Sequence, residues 1–268
     1  MDKLKIYFCL FLLVLSFMYI YTKLDNYNLY KIFIEKDTTS MINSLDIVKF
    51  KDSNTLKKNI EVKLKNTNKK PIIYFYNSHQ TEEYQTSYYG ITPTVVTVAD
   101  MLKDNLKEDN IFSLVEEKSI KKGLDKYNLD YAGCYEISLM YLKEKQRKYP
   151  SLNYYFDIHR DSVTGSLSRV KIKGKSYAKV MFLIGKNLSD YKKNEKNVKI
   201  MESYLNKKYP NLLRSTYYQP KYQYSQSYSE NMFLVEVGGP DNTLEELYNT
   251  SLALSGAIEY YLEVKDEK

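Results

Sequence analysis

From residue 71 onward the chain alternates between two hydrophobic rhythms. Runs rich in apolar residues at 72–76, 111–115, 154–158 and 232–237 read as strands. The run at 72–76 has no polar alternation, which leaves it no solvent side and suits a strand buried on both faces of a sheet. Between the runs, apolar residues recur at helical spacing. Val95, Val98, Ala99, Leu102 and Leu106 mark one amphipathic helix after a polar loop over 77–94. Tyr135, Ile137, Met140 and Tyr141 mark another, which extends to about Arg147 and stops before Pro150. A charged helix is predicted over 192–208, and Thr243-Leu-Glu-Glu opens a final helix with a capping-box signature. Residues 168–186 read as two strands around Lys173-Gly-Lys-Ser, and 216–230 as a loop rich in Tyr, Gln and Ser. Strands alternating with helices predict an α/β domain, its sheet mainly parallel with helices on both faces.

Ahead of this domain the pattern changes. Residues 6–22 are 17 uncharged, mostly apolar residues between Lys5 and Lys23. At ~1.5 Å per residue they nearly cross a ~30 Å hydrocarbon layer, with the flanking lysines snorkelling to its edges. No small-residue cleavage site follows, the first alanine being Ala99, so the segment reads as an uncleaved anchor rather than a removed signal. Lys3 and Lys5 favour a cytoplasmic N-terminus. The expected organisation is a transmembrane anchor over 1–23, a stalk over 24–70 with local structure such as a hairpin, and the α/β domain over 71–268. That makes a single-pass protein of the cell membrane with its domain outside the cytoplasm.

Composition narrows the class. A 268-residue chain that is 43% hydrophobic with 9 Gly and 6 Pro is globular, which excludes collagen-like and low-complexity chains. The 40 basic residues against 33 acidic ones leave +7, which suits plain solubility or an anionic partner such as a wall polymer or membrane surface. The lysines are spread along the chain rather than gathered in a stripe, which argues against nucleic acid as a partner. Cys9 falls in the anchor and Cys134 in an apolar stretch, so there is no disulfide framework.

The chemistry turns on the only two histidines. His79 comes just after the first strand, His159 ends the third, and Glu236 lies at the end of the fourth. In open α/β sheets the carboxyl ends of strands line the ligand crevice, so these three side chains can meet in one pocket. A catalytic zinc takes three protein ligands and keeps a fourth position for water. The available set is His79, His159 and a carboxylate, with Glu82 and Glu83 both close enough to supply it. Zinc lowers the pKa of bound water toward ~7, and a separate carboxylate must then take its proton. Glu236 is the candidate. Asp157 and Asp161 are both placed to hydrogen-bond a ligand imidazole, though Asp157 with Arg160 also fits a structural ion pair. Phosphate-cradling motifs and a G-x-S-x-G elbow are missing, and Ser78 and His79, as sequence neighbours, point to opposite sides and make no dyad. The tyrosine-rich loop offers either stacking faces for sugars or a plain aromatic surface.

Three patches, in order, carry a resemblance covering about residues 71–263. Ile73-Tyr-Phe-Tyr-Asn-Ser-His-Gln-Thr-Glu-Glu-Tyr, Phe156-Asp-Ile-His-Arg-Asp-Ser and Leu234-Val-Glu-Val-Gly-Gly-Pro-Asp-Asn-Thr-Leu-Glu-Glu resemble the stage II sporulation protein P family. These are membrane-anchored peptidoglycan hydrolases of spore formers, related to zinc-dependent N-acetylmuramoyl-L-alanine amidases. The resemblance implies an amidase-like fold and His79, His159 and Glu82 as Zn(2+) ligands with Glu83 in reserve. It makes Glu236 the catalytic glutamate, and sets Asp157, Arg160, Asp161 and Asn242 around the site. Asn77 stands where the family often has a further histidine. In the broader amidases the glutamate ligand lies nearer the next helix, where this chain has Ile91-Thr-Pro-Thr. The implied reaction cuts the amide between the muramic acid lactyl group and L-alanine during spore engulfment, with peptidoglycan as substrate and other engulfment proteins as partners. A metallopeptidase cutting stem-peptide cross-links and a non-catalytic wall-binding relative are the alternatives.

Overall fold

The computed structural model describes residues 70–85, 91–187 and 189–266. The anchor read over 6–22 and nearly all of the stalk lie outside the described residues. Among the described residues no helix is long and apolar enough to cross a membrane.

In chain order the elements are β1 (Ile73–Tyr76), α1 (Val95–Glu108), β2 (Ser113–Val115), α2 (Ile120–Tyr127), α3 (Cys134–Lys148) and β3 (Tyr154–His159). There follow the single-turn α4 (Gly165–Ser168), β4 (Arg169–Ile172), β5 (Lys175–Ala178), β6 (Val180–Gly185), α5 (Tyr191–Lys208), β7 (Tyr217–Gln219), β8 (Met232–Val237) and α6 (Leu244–Asp266). Six strands form one sheet in the order β2-β1-β3-β8-β6-β7. Its pairings are parallel except β6 against β8, so the sheet is mainly parallel as predicted. β1 and β3 are buried along their whole length, which is why both are strongly apolar runs.

Side-chain alternation divides the sheet into two faces. Tyr74, Tyr76, Tyr155 and Met232 point to one face and pack with Leu142 of α3. On the other face Phe75, Phe156 and Phe233 form a ladder of rings, and Tyr261 of α6 packs edge-on against Phe233. α6 packs in turn against α1 and α5. Asp157, His159 and Glu236 share the residue parity of Tyr155 and Met232, so all three face the α3 side.

Several elements differ from expectation. Residues 168–186 hold three strands rather than two. β4 and β5 make a separate antiparallel hairpin, turned by Lys173 (φ 48°) and Gly174 (φ 86°), the twin positive φ values of a type I′ turn. β6 then joins the main sheet after Lys179, whose N–H donates to the Ser168 carbonyl at 2.7 Å. β7 lies inside the predicted 216–230 loop, a three-residue strand held by pairing with β6 rather than by any pattern of its own. α2 lies outside the predicted elements, although Ile120, Leu124 and Tyr127 stand at helical spacing; its eight residues span only about two turns and carry a glycine at the centre.

The last helix begins as its sequence predicts. Glu246 N–H donates to Thr243 Oγ1 at 3.2 Å, and Thr243 N–H donates to Glu246 Oε2 at 2.9 Å. Glu246 also accepts from Arg169 Nε at 2.8 Å and Asn242 Nδ2 at 2.9 Å. Burial would push this carboxyl up, but the bonds from Arg169, Thr243 and Asn242 outweigh it and hold the pKa below the ordinary value. Asn242 meanwhile accepts from Gly239 N–H at 2.8 Å, so one cluster fixes the turn after β8. Gly238 takes φ +69° there, a conformation that disfavours any side chain. A group depressed in the folded state stabilises above its unfolded pKa of ~4.3 and loses that contribution as pH falls through its folded value. Glu246→Gln should therefore cost roughly 1–3 kcal/mol at pH 7, read as a lower urea midpoint, and the gap from wild type should narrow by pH 3.

Candidate active site

β1 runs outward to the edge strand β2, and the chain then returns to β3 on the other side of β1. The carboxyl ends of β1 and β3 therefore flank a topological switch point, where open α/β sheets form their crevices. His79 follows β1 there and His159 closes β3. Their ring centroids lie 4.9 Å apart and nearly perpendicular, at 79°.

Glu82 stands between them. Its Oε1 is 3.3 Å from His79 Nδ1 and its Oε2 is 3.4 Å from His159 Nδ1. The three side chains each bring one donor atom to within 4.8 Å of the others. The loop that places Glu82 is tied down on several sides. Arg160 N–H donates to Glu82 Oε2 at 2.9 Å, Val95 N–H to the Glu82 carbonyl at 3.1 Å, and Tyr84 Oη to the Val237 carbonyl at 2.8 Å. Burial pushes the Glu82 carboxyl up, but hydrogen bonds from His159 and His79 prevail and bring it to about 2. Glu83 points elsewhere: it is exposed and bridges to Thr94, and its carbonyl accepts from Arg160 Nε at 2.6 Å.

His159 is 2% exposed and held from behind. Its Nε2 lies 3.0 Å from Asp157 Oδ1 and 2.9 Å from Ser78 Oγ. Ser78 donates its hydroxyl to Asp157 Oδ2 and its N–H to Asp157 Oδ1, both at 2.8 Å, so its oxygen accepts from the imidazole. That fixes the proton on Nε2 and turns Nδ1 toward Glu82. Burial favours the neutral ring, but Asp157 and then Glu82 hold the imidazolium, and the His159 pKa stands well above the ordinary value.

Glu236 is the Cα partner of His159 across the β3–β8 ladder. Its Oε2 is buried without a hydrogen-bond partner among the described residues. Burial drives its pKa up to about 7; the His159 charge opposes this, and the carboxylates of Glu82, Asp161 and Asp157 add to it. The other acids are compensated. Asp161 pairs with Arg214, Asp157 with Ser78 and His159, and Glu82 with two imidazoles.

Of the flanking residues singled out in the sequence, Asp157 touches a histidine and Asp161 does not. Arg160 makes no pair with Asp157; its guanidinium donates to the carbonyls of Glu83 and Asp161. Asn242 lies under the turn after β8, where it shapes the backbone next to Glu236. Asn77 Nδ2 donates to the Ile158 carbonyl at 2.7 Å and ties the two strand ends together. The sequence reading missed Ser78 and Tyr135. Ser78 contacts not its neighbour His79 but the histidine of the next strand. Tyr135, at the start of α3, lies nearly parallel to His159 at 6.4 Å. Pairing of β1 with β3 brings Ser78 to the site, and packing of α3 on the sheet brings Tyr135.

The sequence model described as Stage II sporulation protein P (SpoIIP) matches residues 20–259. The chain belongs to the stage II sporulation protein P family. A curated family relative, stage II sporulation protein P of Bacillus subtilis (strain 168), is 32% identical over 200 residues, or 70% of this chain and 50% of that protein. The chain thus spans about half the length of the curated relative it matches. Among solved structures, the CwlD amidase from Clostridioides difficile, in complex with the GerS lipoprotein, gives a TM-score of 0.49 at 13% identity, over 72% of this chain and 99% of that one. The N-acetylmuramoyl-L-alanine amidase AmiC2 of Nostoc punctiforme gives 0.44 at 11%, over 72% and 97%.

With only two histidines, this family member offers a direct test of how its site is charged. In the chelator-treated full chain, NMR titration should place the His159 midpoint far above that of a free imidazole. Asp157→Asn should bring it down, because the leading favourable charge is gone. An unchanged midpoint would assign that charge to Glu82 alone.

Proposed function

We propose that this chain is a zinc-dependent peptidoglycan hydrolase that cuts the amide between the muramic acid lactyl group and L-alanine. Membership of a sporulation family supports a role for this reaction in spore engulfment, and residues 6–22 suit a membrane anchor that holds the domain against the wall outside the cytoplasm. The observation that carries the reading is the convergence of His79, Glu82 and His159 beside Glu236, whose Oε2 is buried with no hydrogen-bond partner among the described residues.

The donor set fits zinc: two imidazole nitrogens and one carboxylate oxygen, with one imidazole oriented through its far nitrogen by Asp157. His79, Glu82 and His159 would hold the ion. When bound, zinc supplies an acidified water and polarises the scissile carbonyl. The remaining chemistry belongs to Glu236. A carboxyl near its pKa at neutral pH takes a proton readily and gives it up readily. Glu236 accepts the proton of the water that attacks the lactyl carbonyl, then delivers it to the L-alanine nitrogen as the C–N bond breaks. Burial keeps bulk water from exchanging that proton on the way.

Glu236→Gln in the full chain should lower turnover by about 10²–10⁴-fold while zinc content stays near one per chain. Full hydrolysis by that variant would remove its assigned role. His79→Ala and His159→Ala should instead lose the metal. Mass spectrometry of digested wall fragments reads the bond: free glycan with released L-alanyl peptides supports the amidase, cut cross-links support a metallopeptidase, and no cleavage with no metal supports a wall-binding relative.

A further inference from the structure

A row of rings continues outward from the two imidazoles. Tyr131 lies over His79 with centroids 5.1 Å apart and planes 24° from parallel. Tyr135 packs edge-on against His79 at 5.3 Å and lies along His159 at 6.4 Å, Tyr224 packs on Tyr135 at 5.7 Å, and Tyr222 packs on Tyr224 at 6.3 Å. The row thus runs from Tyr222 through Tyr224 to Tyr135, which touches both imidazoles, and on over His79 to Tyr131. Its two ends are open: Tyr222 is 61% and Tyr131 57% exposed, unusual for such large rings.

The outer end is built rather than loose. Gly185 closes β6, and any Cβ there would come within 2.5 Å of the Tyr222 carbonyl and 2.6 Å of Gln223 Cα, so the loop is pressed onto the strand. Gln226 is 3% exposed and clamps the same spot. It accepts from Gly185 N–H at 2.9 Å and donates to the Leu183 carbonyl at 2.7 Å. Tyr224 is held at φ +50°, a left-handed conformation that bulky residues avoid, and this turn directs its ring onto Tyr135. The inner end is fixed through Gln80, which donates to the Lys118 carbonyl and accepts from Ile120 N–H, both at 2.8 Å. Those bonds join the His79 loop to the start of α2.

We propose that Tyr131, Tyr135, Tyr222 and Tyr224 form a saccharide shelf along which a glycan strand lies, with sugar rings stacked on the open faces of Tyr131 and Tyr222. This rests on the hydrolase reading above for its choice of glycan. The chemistry suits it: the C–H face of a pyranose packs on an electron-rich ring, and a phenol hydroxyl can bond sugar hydroxyls at the edge. None of the four side chains carries a charge that would select a peptide carboxylate or amine. Open rings at the two ends of this row fit an extended chain better than one compact fragment held at a single point.

The test uses the full chain and a peptide-free tetrasaccharide of alternating N-acetylglucosamine and N-acetylmuramic acid, which has no bond for the enzyme to cut. Calorimetric titration should show binding that Tyr131→Ala and Tyr222→Ala each weaken by about three- to tenfold, whereas Tyr222→Phe, which keeps the ring, stays within about twofold. Both residues are exposed, so the variants should keep the wild-type melting temperature. Wild type that fails to bind the tetrasaccharide, or alanine variants that bind as well as wild type, would overturn the shelf. So would a loss seen instead for a synthetic L-alanyl stem peptide. Stem-peptide release, measured in parallel, separates the two readings. Weakened glycan binding without any hydrolysis leaves the shelf standing and removes the hydrolase, and hydrolysis with unaltered glycan binding does the reverse.

Discussion

The carboxylate of Glu82, held between Nδ1 of His79 and Nδ1 of His159, is the contact on which the rest of the site depends. Two imidazoles 4.9 Å apart would repel if both were protonated and would gain little from each other if neutral. An acid between them makes the arrangement stable without a metal and selects the same two nitrogens for one with it. Everything around Glu82 serves that position: Arg160 N–H on one oxygen, Val95 N–H on its carbonyl, and Tyr84 reaching across to the end of β8.

From that contact the charge pattern follows. Four acids crowd the carboxyl ends of β1, β3 and β8, and three find a partner among the described residues. Asp157 sits behind His159, Asp161 takes Arg214, and Glu82 takes both rings. Glu236 is left with an oxygen that has no partner, and burial raises its pKa to about 7. In a crevice of this kind an unpartnered carboxyl beside a set of metal donors is suited to carrying a proton, and environments that push like groups apart are how one site separates its roles.

The sheet supplies the precision. Parallel pairing sets His159 and Glu236 side by side, and the reversal of strand order between β1 and β3, which themselves run parallel, opens the space they face. Asn242 and Glu246, both in the last of the resembling patches, hold the turn behind Glu236 rather than entering the site. A motif can mark residues that shape the backbone as well as those that touch the ligand. The β4–β5 hairpin and β7 are peripheral to this framework, which is why misreading their extents left the crevice in the same place.

The sequence by itself determined the alternation of buried strands and amphipathic helices, and with it the class of fold. It also placed each histidine at a strand end, because apolar runs of about five residues rich in aromatic and β-branched side chains favour buried strands, whose polar successors lie at the rim. It left Glu82 and Glu83 as equal choices, since adjacent residues in a loop carry no periodicity to separate them. Tertiary structure decided that: the bridge between Glu83 and Thr94 turns one carboxyl outward and the other in. It also brought Ser78 to His159 and Tyr135 over it, contacts between residues 81 and 24 positions apart that only strand pairing and helix packing could make. Local pattern fixes which side of an element a residue occupies, but what meets it there depends on neighbours far along the chain.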